Sequence, residues 1–152
     1  MNPDQIALVK ESFAVVQPHL DDVATRYYAD LFRNHPELRT LFTGTASDRR
    51  TKFVAEFSAL VEVLDTLGAL VTSATELGAQ HAESGVLPEN YEYFGESLRR
   101  ALGEVLGDRY DADVDTAWRL AYNLVAETMV HGATHTTDEV MGYARLGGRL
   151  RT

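Results

Sequence analysis

The sequence predicts an all-α protein of about six or more helices. Apolar residues recur at intervals of three and four along most of the chain, which is the spacing of one face of an α-helix. No convincing strand run, internal repeat or low-complexity block interrupts this pattern. Its 152 residues suit one domain with one core.

The first two helices are bounded by prolines. Asn2-Pro3 has the composition of a cap followed by proline in the first turn, and Pro18 ends the helix that follows. Asp21 or Asp22 is expected to cap the second helix, which His35-Pro36 ends. This helix carries two adjacent apolar faces, which are Val23, Tyr27, Leu31 and Ala24, Tyr28, Phe32.

A long third helix is expected to begin at Ser47 or Asp48, after a turn and a loop. One of its faces advances in steps of four, four, three and four residues, which is a helical period. That face consists of Arg49, Phe53, Phe57, Leu60 and Leu64.

The second half of the chain predicts three further helices. The first carries Leu70, Ala74, Leu77 and His81 and ends at a corner, Gly85-Val86-Leu87-Pro88. The next carries Tyr91, Phe94, Leu98, Leu102 and Val105, and the last, capped by Asp111 or Asp113, carries Val114, Trp118, Ala121, Val125 and Met129. We assign residues 1–135 to one domain and residues 136–152 to a tail that either extends the last helix or frays.

Composition and charge exclude several classes of function. The formal net charge of −9 disfavours binding to nucleic acid and to anionic membranes. No apolar run is long enough to cross a membrane, and the chain has no cysteine for disulfides or thiolate sites. We therefore expect a cytoplasmic protein without a nucleic-acid or membrane partner.

Among five histidines, His81 is the strongest candidate for chemistry. It continues an apolar stripe one turn after Leu77, so it is either a core histidine with its hydrogen bonds satisfied or a ligand. His131 and His135 share a helical spacing that can hold zinc, but no third ligand accompanies them. The chain contains no nucleophile elbow, phosphate loop or dinucleotide fingerprint.

Several short segments occur together in a characteristic order. They are Tyr28-Ala29-Asp30-Leu31-Phe32, His35-Pro36-Glu37-Leu38-Arg39 through Leu41-Phe42, Gln80-His81 through Gly85-Val86, Pro88-Glu89-Asn90-Tyr91, Gly95-Glu96, Glu104 to Asp108, Ala117-Trp118 and Ala121-Tyr122. In this order and spacing the chain resembles bacterial haemoglobins of the flavohaemoglobin and single-domain, Vitreoscilla-type group, roughly from Pro3 to Met129.

The resemblance implies a globin fold and a haem b cofactor. It makes His81 the iron ligand and leaves the opposite axial position of a five-coordinate iron open to O2, NO or CO. It makes Phe42 the ring against the porphyrin and Tyr28 the pocket tyrosine that donates a hydrogen bond to bound oxygen, with adjacent Tyr27 as a register alternative. A backbone carbonyl near Leu77 is expected to fix the His81 tautomer.

The resemblance also assigns further residues to the haem pocket, and some of them depart from the family pattern. The cofactor-binding set is Phe42, Arg49, Phe53, Leu77, Val86, Tyr91 and Phe94. Relatives usually carry glutamine and an aliphatic residue where this chain has Arg49 and Phe53; Arg50 is the runner-up for the first position. On the proximal side, Ala133 stands where relatives have the glutamate that pairs with the tyrosine matched by Tyr91, so strongly oxidising chemistry is disfavoured.

These features lead to a ranked set of functions. The first is an oxygen-binding globin that supports NO dioxygenation with an external reductase, because no dinucleotide-binding segment follows the globin region. The chain is either a single-domain protein or a haem domain of a longer one. The alternatives are a gas or redox sensor that signals through a partner and a haem-free helical regulatory protein.

Overall fold

The protein is described by a computed structural model, which covers the backbone of residues 1–150 and the side chains of residues 1–133. Within these residues it contains six α-helices and no strand. They are α1 (Pro3–Val16), α2 (Leu20–Asn34), α3 (Ala46–Glu62), α4 (Leu67–Glu83), α5 (Asn90–Leu106) and α6 (Ala112–Leu150). Short 3-10 helices at Gln17–His19, Pro36–Leu41 and Gly107–Arg109 form three of the corners. The all-α prediction is confirmed.

Side-chain caps fix the beginnings of three helices. Asn2 caps α1 with a reciprocal bond to the third residue of the helix, as the sequence suggests. Thr45 does the same for α3, so this helix begins at Ala46, slightly earlier than predicted, and Asp48 completes the capping box from inside. At α6 the Asp111 carboxylate accepts from the Val114 N–H at 2.9 Å.

The predicted cap of α2 is wrong. This helix begins at Leu20, directly after a 3-10 turn, and makes no side-chain cap hydrogen bond. Asp21 and Asp22 lie inside its first turn, where a negative charge still stabilises the positive end of the helix dipole. The Asp22 carboxylate instead pairs with Arg26 at 3.1 Å, one turn along.

The helices pack around one continuous core. The main contacts join α4 to α6, α2 to α5 and α1 to α6, whereas α3 touches α4 only slightly. Two glycines allow α4 and α6 to approach closely. A Cβ at Gly78 would lie 2.1 Å from the Met129 backbone oxygen, and one at Gly132 would lie 2.8 Å from the Thr75 Cα. This close seam holds α4, and with it His81, at a fixed height on α6.

The last helix runs without interruption to Leu150, so residues 136–150 continue α6. The boundary that we drew at residue 135 remains a prediction. The side chain of His135 lies outside the described residues, and among those described no group of three or more His, Asp or Glu side chains is arranged to hold a metal ion. None of the helices in the described part of the chain is long and apolar enough to cross a membrane.

Candidate functional site

An apolar cleft lies within the helical core, and all six helices contribute residues to its walls. The empty space between its walls is about 850 Å³ when the open mouth is included. Most of its lining is apolar or aromatic. The lining residues are Val9, Tyr27, Phe53, Glu56, Phe57, Leu60, Val61, Leu64, Leu77, His81, Tyr91, Phe94, Leu98, Trp118, Ala121, Tyr122, Val125 and Met129.

His81 lies in this wall near the carboxyl end of α4, half-buried. Its ring Nδ1 lies 2.7 Å from the carbonyl oxygen of Leu77, one turn earlier. Because a carbonyl oxygen can only accept, Nδ1 must donate and therefore carries the proton. In the neutral ring Nε2 is then left with its lone pair. The expected carbonyl partner of His81 is confirmed.

The corner after α4 keeps this part of the chain compact. The Val86 N–H donates to the carbonyl oxygen of His81 at 3.0 Å, and Gly85 provides the positive φ of 95° that the turn requires. Val86 itself is half-buried against the core rather than in the cleft wall. Val86 therefore helps to position His81 through its backbone hydrogen bond and not through its side chain.

Tyr91 and Phe94 of α5 extend the wall beside His81. The Tyr91 ring centroid lies 6.4 Å from that of His81, and the Phe94 ring contacts Tyr91 edge-on at 5.9 Å. Burial raises the pKa of Tyr91 to about 12, so it stays neutral at physiological pH. The Tyr122 hydroxyl of α6 donates to the backbone carbonyl of Tyr91, which fixes α5 against the last helix.

The opposite wall is a stack of aromatic rings. Phe53 of α3 stacks on Tyr27 of α2 at 4.6 Å and on Phe57 at 5.5 Å. Tyr27 is buried and lines the cleft, whereas sequence reasoning gave it only as the alternative to Tyr28. Val23 and Leu31, which share the face of Tyr27, are both fully buried.

Tyr28 and Arg49 lie together in a second pocket that shares no lining residue with the cleft. The Tyr28 hydroxyl donates to the backbone carbonyl of Arg49 at 3.3 Å. Burial raises the pKa of Tyr28 to about 12; nearby Glu56 adds to this effect and Arg49 opposes it. The structure therefore does not bring the predicted pocket tyrosine into the same wall as His81.

Phe42 joins the two regions. Its ring contacts Tyr28 edge-on at 5.4 Å and Phe94 at 6.2 Å. It is half-buried and packs on the core without lining the cleft. Phe42 thus lies between the tyrosine of one pocket and the cleft wall of the other.

The two neighbouring arginines of α3 face different surroundings. The Arg49 guanidinium lies over the rings of Tyr28 and Phe32, 5.9 and 5.7 Å from their centroids, and donates to the Gly44 carbonyl at 3.1 Å. Arg50 pairs with the exposed carboxylate of Asp21 at 3.2 Å. Of the two, Arg49 is the one placed against the aromatic rings.

Ala133 of α6, the position at which the family resemblance places a glutamate, is half-buried and carries only a methyl group. The carboxylate of α6 that shares a surface pocket with Tyr91 is Glu127, which is exposed. His131 lines the same pocket and is also exposed.

The residues of the cleft fit a haem group. A flat, apolar macrocycle requires an apolar slot, and the cleft is almost wholly apolar between Phe53 on one wall and Leu77 on the other. Its iron requires a nitrogen donor, and the hydrogen bond to Leu77 leaves the Nε2 lone pair of His81 available. Both requirements are met by side chains of the chain itself.

Known proteins match both the sequence and the fold. The globin family model matches residues 25–129. Flavohemoproteins of Bacillus subtilis and Halalkalibacterium halodurans are 30% and 32% identical to the chain, over 82% and 81% of its length. The chain spans about a third of these curated relatives, 32% and 31% of their lengths.

Solved structures agree with this assignment. An engineered carbene transferase derived from a candidate nitric oxide dioxygenase of Rhodothermus marinus superposes with a TM-score of 0.82 at 26% identity, over 93% of this chain and 99% of the other. A bacterial globin from Campylobacter jejuni superposes with a TM-score of 0.80 at 19% identity, over 90% and 99%, which supports the fold alone. The chain therefore belongs to the globin family, and haem is its cofactor.

Proposed function

We propose that this domain binds a diatomic gas at a haem iron held by His81. The observation that carries the proposal is the 2.7 Å hydrogen bond between His81 Nδ1 and the Leu77 carbonyl. When bound, haem supplies an iron that takes one protein nitrogen and leaves its other axial position for O2, NO or CO. The chain's own residues then decide how firmly the group is held and what reaches it.

The proximal wall is built to hold one nitrogen in place. The Leu77 carbonyl fixes both the tautomer and the rotation of the His81 ring. The glycine seam at Gly78 leaves α4 no room to shift on α6. With Ala133 in place of a carboxylate, no described acidic side chain pulls the Nδ1 proton from His81. We therefore expect gas binding in preference to peroxidase-like chemistry.

The opposite wall excludes water and restricts the space for a ligand. The Phe53 ring presents an apolar surface, and its stack with Tyr27 and Phe57 limits its freedom to swing aside. Tyr28 and Arg49 are the polar groups assigned to this side. Their hydroxyl and guanidinium lie one layer away from the cleft, linked to it through Phe42.

NO dioxygenation with an external reductase is the activity that we propose for the domain. It is supported by similarity to the globin region of flavohemoproteins and to the Rhodothermus marinus protein. The reductase would supply electrons to the iron between turnovers. The described part of the chain has no redox side chain to replace it beyond ordinary tyrosines and one tryptophan.

The test is spectroscopic and then catalytic. The purified protein is expected to show a Soret band that moves on reduction and again on addition of CO. With a generic flavin reductase and NADH, the oxygenated protein should convert NO to nitrate over many turnovers. The absence of a Soret band, or a Soret band that does not shift when CO is added, would contradict gas binding at haem.

A gas sensor remains the second candidate, and Arg49 and Phe53 favour it because both alter the ligand side while leaving His81 in place. Normal gas binding combined with negligible nitrate formation would favour the sensor over the enzyme. The same two measurements therefore separate the two functions.

A further inference from the structure

The second pocket carries an unusual concentration of positive charge for an acidic protein. Four arginines line it: Arg33, Arg39, Arg49 and Arg50. They come from the end of α2, the following 3-10 helix and the start of α3. The chain as a whole has a net charge of −9, so this arginine pocket is a local reversal of sign.

Two of the four arginines pair with a carboxylate. Arg33 pairs with Asp30 at 3.2 Å, although Asp30 also pairs with Arg100 at 2.9 Å, and Arg50 pairs with Asp21 at 3.2 Å. Among the side chains that the structure describes, neither Arg39 nor Arg49 has a carboxylate within 4.0 Å. The pocket therefore keeps about two positive charges of its own.

These two free charges lie around the same aromatic ring. The Arg39 guanidinium lies 4.9 Å from the Phe32 ring centroid, and that of Arg49 lies 5.7 Å from it. The two like charges repel one another, and an anion bound beside both would relieve that repulsion. In addition, Arg49 Nε is buried without an acceptor, although Nη1 of the same group bonds to Gly44. Buried N–H groups rarely remain unpaired.

We propose that the arginine pocket binds a dianionic oxyanion of the phosphate class between Arg39 and Arg49. Guanidinium groups match phosphate oxygens with paired N–H donors, and two uncompensated charges match a dianion. Ala46, the first residue of α3, also lines the pocket. The pocket is separate from the apolar cleft, which places the ion apart from the cofactor.

Side-chain contacts link the arginine pocket to the wall of the cleft that contains Phe53. The Arg49 carbonyl accepts the Tyr28 hydroxyl, and its guanidinium lies on the Tyr28 ring, which contacts Phe53 at 5.9 Å. An ion that draws Arg49 toward Arg39 would change the surroundings of Tyr28. This consequence for gas affinity rests on the proposed function, whereas the binding of the ion does not.

To test this proposal, inorganic phosphate is titrated into the purified haem protein at about pH 8 and low salt. Binding is measured by calorimetry and by the line width of the phosphorus NMR signal. Saturable binding is expected, and raising sodium chloride should weaken it. Arg39→Ala should weaken phosphate binding about tenfold, because it removes one of the two uncompensated charges. Arg39 is exposed, so its loss leaves the core intact. Arg49→Lys, which keeps the charge but loses the paired donors, should weaken it less.

The matched control is Arg109→Ala, an exposed arginine far along the chain in the corner after α5, which should bind phosphate as the parent protein does. Nitrate, a monoanion, should bind more weakly than phosphate. The proposal is overturned if phosphate does not bind saturably, if Arg39→Ala binds it unchanged, or if nitrate binds more tightly. A protein that binds phosphate but no gas would refute the proposed function and leave the ion site standing.

Discussion

The apolar cleft and the arginine pocket each receive one of two adjacent residues of α2, yet their linings differ in polarity and charge. Tyr27 is buried in the cleft wall, and Tyr28, the next residue, lines the arginine pocket. One residue along an α-helix turns the side chain by about 100°. The cleft receives apolar surface and one imidazole, whereas the pocket receives guanidinium groups and a hydroxyl.

The difference shows how one helix divides two tasks. The cleft side depends on close packing, because an apolar slot keeps its shape only if its walls cannot collapse. The pocket side depends on charge and hydrogen bonding, and it stays open to solvent. Substitutions in the cleft should therefore alter stability and cofactor retention. Substitutions in the arginine pocket should alter the kinetics of ligand binding and the response to ions.

The largest effect is expected from Gly78→Ala at the seam behind the cleft. The added Cβ would lie 2.1 Å from the Met129 carbonyl oxygen and 2.6 Å from its Cα, which are backbone atoms that cannot move alone. We expect the free energy of unfolding to fall by about 3 kcal/mol, as in other overpacked cores. Urea denaturation measures the loss.

The control for this change lies in the same helix. Gly68→Ala adds the same methyl group, but nothing lies within 4 Å of it. Because alanine favours helix over glycine, this variant should be as stable as the parent or more stable by up to about 1 kcal/mol. Equal losses from the two variants would show that the seam does not hold α4.

A smaller effect is expected from removing one hydroxyl on the ligand side. If Tyr28 supplies the hydrogen bond to the gas ligand, Tyr28→Phe should speed oxygen dissociation roughly fivefold to tenfold, the value of one neutral hydrogen bond. Stopped-flow dissociation measures it. Tyr27→Phe is the matched variant, since it removes the same group one residue earlier.

The pair of tyrosine variants also decides which pocket governs the ligand. A large effect from Tyr27→Phe with none from Tyr28→Phe would move the polar donor into the cleft wall, where the structure places Tyr27. It would also break the link that we propose between the arginine pocket and the iron.

The smallest effect is a loss of stability at high pH. Burial raises the pKa of Tyr28 and of Tyr91 to about 12, above the ordinary tyrosine value of 10.0. The folded state then holds these protons more tightly than the unfolded chain, so stability is fully present below pH 10 and falls as the pH rises from 10 through 12. Thermal denaturation between pH 9 and 11.5 should show this fall, and Tyr28→Phe should make it shallower.

Much of the cleft could be predicted from periodicity and resemblance together. The positions of Phe53, Leu77 and His81 follow from helical spacing, because a face that repeats every three or four residues must turn toward one side. The hydrogen bond from His81 to Leu77 follows from the same rule, since residues four apart lie one above the other. The family and the fold were predicted correctly on these grounds.

The arginine pocket could not be predicted in the same way. Arg39 and Arg49 are ten residues apart in sequence, and both approach the Phe32 ring only in the folded chain. Tyr27 and Tyr28 also could not be ranked by spacing, because both belong to apolar faces of α2. Tertiary packing, not local pattern, decides such cases.

We infer that His81 holds the haem iron through Nε2, and the absorption spectrum of His81→Ala beside that of His19→Ala tests this directly. His19 is exposed, so its replacement should leave the Soret band and the shift on CO addition unchanged. His81→Ala should lose most of the haem, and imidazole added to the solution should restore part of the ferrous spectrum. A His81→Ala protein that retains haem with the parent spectrum would contradict the claim.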